Sequence, residues 1–126
     1  MFLRIVIILQ TVALFAAPVT AGLMLSTSYG HYWHSGASYT VFVIAVVHLV
    51  TAVLAWRPGG GSPKPIRFAA VFLAFTLAQV ALGLAHVTVV HVPLGVLMFA
   101  FSLLHLSRVL AERRGAGDQV TATARG

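Results

Sequence analysis

Residues 91–105 read HVPLGVLMFAFSLLH, and residues 34–48 read HSGASYTVFVIAVVH. Each run is apolar through most of its length and has a histidine at both ends. The interval is fourteen positions in both, two heptads or about four helical turns, so on a helix the two imidazoles of a run leave the same face. At about 1.5 Å per residue they stand about 21 Å apart along the axis. That fits one site towards each side of a hydrocarbon core about 30 Å thick.

A membrane is the setting because the chain, 126 residues long, is 60% hydrophobic and only 8% charged, with a mean hydropathy of +0.98, far from the range of soluble domains. Four stretches are long enough to cross a bilayer, at about 3–26, 36–56, 66–87 and 90–110. Arg4 precedes the first, and Val19-Thr20-Ala21 resembles a small-residue cleavage site, so a cleaved signal over residues 1–21 is the alternative to a retained helix. The length of that apolar run and Pro18 within it favour retention. Arg4, then Arg57, Lys64 and Arg67, then Arg108, Arg113 and Arg114 alternate with two connections that carry no Lys or Arg. Both termini are therefore expected in the cytoplasm, in a plasma membrane of bacterial type. Tyr29, Tyr32 and Trp33 at one end of the second span and Trp56 at the other read as interfacial belts. RPGGGSPKPIR is a turn between spans two and three, and the short connections predict an all-α integral-membrane bundle of four helices, up-down-up-down, over residues 1–112. The small, polar stretch 113–126 is expected to be a disordered cytoplasmic tail.

The same composition removes whole classes of chemistry. The acidic residues are Glu112 and Asp118, both beyond the last apolar segment, so no carboxylate is at hand inside the membrane for a proton relay, a metal cage or acid-base catalysis. With no cysteine, disulfides, thiolate metal sites, iron–sulfur clusters and thioether-linked heme are excluded. The net charge of +6 sits at segment ends, where lipid headgroups account for it and nucleic acid need not be invoked.

In an up-down-up-down bundle, spans two and four point the same way, so His34 lies level with His91, and His48 with His105. Between the histidines the seam reads Ser38, Val41, Ala45 in span two and Gly95, Met98, Ser102 in span four: small, large, small in each. Small residues one turn from a histidine leave room for a flat macrocycle, and the large residue fills the bundle between two such sites. Ala17, Ala21 and Gly22, with Ala74, Ala78, Ala81 and Gly83, permit close approach by the neighbouring spans. Two imidazoles per level, with no acidic or sulfur ligand, suit six-coordinate iron in heme better than tetrahedral zinc; copper held by imidazole is a further option.

Two histidines fourteen apart on one helix, repeated on a second parallel helix, resemble the pattern of membrane-embedded diheme b-type cytochromes. The resemblance covers about residues 3–110. It implies that His34 and His91 ligate one heme b nearer the outer face and that His48 and His105 ligate a second nearer the cytoplasm. It implies transmembrane electron transfer, with quinone, superoxide, ferric iron or a redox partner protein as donor or acceptor. Arg57 and Arg108 are candidate partners for the inner propionates, since guanidinium offers a planar, permanently charged fork. A second resemblance is to the four-helix halves of heme A synthases, through LAQVALG followed by HVPLG; it would use only His34 and His91, and the acidic residue and cysteine pair of that family are missing here.

A plainer account of His48 is a buried neutral histidine bonded to Thr51 or Thr76, and on that account the chain is a heme-free accessory or structural membrane subunit. Intramembrane histidines are costly, however, and mark function by default. His31 and His86 break the interval and read as loop histidines near the outer surface. Gln79, polar within span three, is a candidate contact for a quinone or for a ligating imidazole. Lipid is the expected surround, and the chain is compatible with a homo-oligomer.

Overall fold

The computed structural model describes residues 2–123, with side chains described as far as Glu112. It contains four helices, α1 (Phe2–Met24), α2 (Gly30–Trp56), α3 (Lys64–Leu84) and α4 (Thr88–Thr123). Each holds a window whose mean hydropathy lies between 1.8 and 2.2, long enough to span a bilayer. The chain is an all-α integral membrane protein. The stretch 113–126, expected as a disordered tail, has no described side chains, and its backbone continues α4 to Thr123.

The helices neighbour one another in a ring, α1 on α2, α2 on α3, α3 on α4 and α4 on α1. This leaves α2 and α4 on one diagonal, pointing the same way. Polar residues face inward, with Gln10, Thr11, His48, Thr76 and Ser102 all buried, while Leu9, Val12, Phe15, Leu54, Leu97 and Phe101 are exposed. Such an inversion is what hydrocarbon solvent asks for: apolar side chains lose nothing by facing lipid, whereas polar ones need partners inside. Thr11 and Ser102 supply one such partnership, joining α1 to α4 through their hydroxyls at 2.8 Å. Ala13, Leu14, Val41, Ala45, Phe72 and Met98 form the apolar middle of the bundle.

Two turns set the register. α2 begins at Gly30, six residues before the span expected from 36, so His31, Tyr32 and Trp33 occupy its first turn rather than a loop. Only glycine allows this start, because a Cβ on Gly30 would run into the backbone of Leu23 and Met24 at the end of α1. At the other connection, the Val87 N–H donates to the Leu82 carbonyl at 2.9 Å and the His86 N–H to that of Gly83 at 3.2 Å. With His86 at φ 56°, this is a Schellman ending of α3 with a histidine in the left-handed position that glycine usually takes. The role of His86 is thus in the turn. Replacing it with glycine removes a left-handed strain of about 1 kcal/mol; His86→Gly is expected to raise the unfolding midpoint in detergent, and an unchanged or lowered midpoint would contradict the assignment.

Candidate functional site

The ring arrangement turns the repeated interval into two facing pairs. At the end of the bundle that carries the α1–α2 and α3–α4 connections, the upper level, His34 and His91 have ring centroids 6.2 Å apart at 80°. At the opposite, lower level, His48 and His105 are 6.3 Å apart at 29°. Two imidazoles sharing one metal ion, with metal–nitrogen bonds of about 2.0–2.1 Å, have centroids about 6.3 Å apart. Both separations match that value, which holds for imidazoles on opposite sides of one ion.

Hydrogen bonds settle which ring nitrogen is left for a ligand. His34 donates from Nδ1 to the Ala17 carbonyl of α1 at 3.1 Å, and His91 donates from Nδ1 to the Gln79 carbonyl of α3 at 3.0 Å. Carbonyl oxygens only accept, so both neutral rings carry hydrogen on Nδ1 and hold a lone pair on Nε2. The helices come close enough because the side chains there are small: a Cβ added to Gly83 would stand 3.3 Å from Cε1 of His91. His48, fully buried, donates from Nδ1 to Oε1 of Gln10 at 2.7 Å. The Nε2 atoms of His48 and His105 are buried without any hydrogen-bond partner. An outer-shell acceptor on one nitrogen and a free lone pair on the other is the usual state of a histidine poised to ligate metal.

The partners expected for His48 were otherwise. Thr51 donates to the carbonyls of Val47 and His48, both at 2.9 Å, and Thr76 to that of Phe72 at 2.9 Å, so neither hydroxyl serves the imidazole. Gln10, which nothing nearby in sequence marks, does. Gln79 meets the expected imidazole through its backbone; its side-chain amide lies against Gly95, where an added Cβ would stand 2.8 Å from Nε2, and its Oε1 is buried without a partner. Arg57 is exposed, with its guanidinium carbon 4.8 Å from the centre of the Trp56 ring. Arg108 is exposed one turn beyond His105. His31 and His86 are exposed and belong to neither pair.

The levels differ in room. The upper pair lines a cleft of about 190 Å³, bounded among others by Ala17, Ala21, Ser38, Gly95 and Val96, smaller than most cofactor pockets. Of the small seam residues, Ser38 and Gly95 line it, while Ala45 and Ser102 lie buried outside it. At the lower level, the Phe68 ring stacks on His105 with centroids 3.7 Å apart at 17°, and lies 6.0 Å from His48. The upper level thus has a cleft beside its histidines, and at the lower level the Phe68 ring fills that place.

No family model, curated protein or solved structure matches the chain. Among the described residues, no group of three or more His, Cys, Asp or Glu gathers as a metal cage. Removing the His48 partner isolates the energetics of this network. Gln10→Leu leaves a buried N–H unpaired, at a cost of about 1–3 kcal/mol, whereas Thr51→Val removes only bonds to its own helix. Unfolding in detergent should therefore show a clear loss for the first and little change for the second; equal effects would contradict the assignment.

Proposed function

We propose that the chain is a small b-type membrane cytochrome that passes single electrons across the bilayer, with two hemes each held by one histidine of α2 and one of α4. The observation that carries the reading is the near-identical separation of two imidazole pairs on one diagonal, 6.2 and 6.3 Å. Heme bound in this way supplies reversible one-electron chemistry whose potential follows ligand type, hydrogen bonding and burial.

The chain's own residues do the rest. His34 and His91 present Nε2 from rings anchored on helix carbonyls, so the upper ligands are oriented before anything binds. His48 is oriented by Gln10, which keeps its hydrogen on Nδ1. If heme were held by two imidazoles at each level, no ligand site would be left for oxygen, which would suit the chain to electron transfer. Between the levels, Leu14, Val41, Ala45 and Met98 form an apolar cluster that lowers the polarity of the path. In the positive-inside orientation the upper level lies towards the outer face, both termini lie in the cytoplasm, and Arg57 and Arg108 stand at the lower end as cations for propionates. A quinone or a redox partner protein at either face would complete the path.

A second reading, one heme at His34 and His91 alone, is favoured by the Phe68 ring at the lower level. Stoichiometry separates the two. Purified protein should be red, with reduced b-type bands and two hemes per chain by pyridine hemochrome; one heme supports the second reading, and colourless protein from heme-replete cells supports an accessory subunit. His48→Ala should halve the heme and His34→Ala should remove the other half. Since the imidazole planes are close to perpendicular above and closer to parallel below, the two low-spin ferric EPR signals should also differ, the upper being the more anisotropic.

A further inference from the structure

Phe68 stands where the lower site would need space. Its separations of 3.7 Å from His105 and 6.0 Å from His48, with 6.3 Å between the imidazoles, place its ring centre about 3.4 Å off the line joining them and about 1.8 Å past the midpoint on the His105 side. A tetrapyrrole centred between these imidazoles would run through the phenyl ring. An ion alone, on the line itself, would not meet it.

We propose that Phe68 decides what the lower histidine pair can hold. With its ring against His105 the pair admits a bare metal ion and excludes a porphyrin; with the ring turned outward the pair admits heme, and it does so after the upper level. The proposal rests on the cytochrome reading above and adds the order and the gate.

Position on α3 makes the turn feasible. Phe68 is half-buried, one turn from buried Phe72 on one side and exposed Val71 on the other, with Phe75 exposed beyond, so it sits on the border between the inward and the lipid-facing stripes. A phenylalanine leaving a water-soluble core would lose its burial, but here the outward position is lipid, as apolar as the core it leaves. The inward position is held by stacking on His105 and on Phe72, whose ring is 6.2 Å away at 20°. Against it stand the unpartnered Nε2 atoms of His48 and His105, which gain ligand bonds once the ring is gone. No proton has to leave His48, because its hydrogen already sits on Nδ1 facing Gln10. At the upper level a cleft already adjoins the pair, and both of its rings are anchored on backbone.

Hemin added to the full chain, prepared heme-free and reconstituted in lipid nanodiscs, tests this through the kinetics of uptake. The wild type should bind in two phases, the fast one lost in His34→Ala and the slow one in His48→Ala. Phe68→Ala should accelerate the slow phase until it merges with the fast one, and Phe68→Trp should abolish it while leaving the fast phase untouched. A slow phase of unchanged rate in Phe68→Ala, or two hemes taken up at wild-type rates by Phe68→Trp, overturns the gate and leaves the cytochrome reading standing. One equivalent bound by both wild type and Phe68→Ala overturns the gate and supports the one-heme reading. A wild type that binds no hemin overturns the cytochrome reading and the gate with it.

Discussion

An imidazole inside a membrane-spanning bundle brings one N–H and one lone pair that hydrocarbon cannot satisfy, and the arrangement of this protein follows from where each of them goes. At three of the four sites the N–H is accounted for. His34 and His91 use the second lone pair of a carbonyl already engaged in its own helix, on α1 and α3 respectively. Such a bond demands that the ring reach a neighbouring backbone, which is possible only past small side chains, and Ala17, Ala21 and Gly83 provide them. The close approach of α1 to α2 and of α3 to α4 at this end is thus tied to the orientation of the histidines. Once the Nδ1 hydrogen of His48 is placed, its Nε2, like that of His105, is buried without a hydrogen-bond partner among the described residues.

The two levels solve the same problem by different means. Above, the acceptors are backbone carbonyls, which no substitution removes. Below, the acceptor is the side chain of Gln10, fully buried, and the remaining space is taken by Phe68. A site held by backbone is fixed by the fold, while one held by two side chains can be retuned by changing them. Because the strength of a histidine's outer-shell hydrogen bond alters its basicity as a ligand, the levels are expected to differ in affinity and potential even with identical ligands.

Much of this was legible from residue order. Four apolar stretches and the short connections between them led to four spans with two like-directed helices, and the doubled interval put His34 level with His91 and His48 with His105, as the ring separations have them. The small-large-small seams also found their place, with Gly95 and Ser38 lining the upper cleft and Met98 buried between the levels. The start of α2 was misjudged because His31, Tyr32 and Trp33 look like an interfacial loop; what makes them helical is the absence of a Cβ at Gly30, visible only once α1 is beside it. Gln10 was missed for a related reason. It lies 38 positions from His48, and within an apolar helix its partner depends on how that helix is rotated, which residue order does not report. Thr51 and Thr76 were the nearer hydroxyls, but threonine on a helix readily turns its hydroxyl to its own preceding carbonyls. Phe68 is one of eight phenylalanines and carries no local signal.

The diagonal has a further consequence for how function and stability are divided. α2 and α4 supply every histidine of the two pairs, yet they do not pack on each other; each is held by α1 and α3. The Thr11–Ser102 bond and the two carbonyl-anchored rings join neighbouring helices, while the apolar middle draws on all four. A ligand bridging the histidines would add a tie between two helices that the ring of neighbouring contacts does not join directly. The space beside the imidazoles is lined by small residues at the upper level and holds the Phe68 ring at the lower.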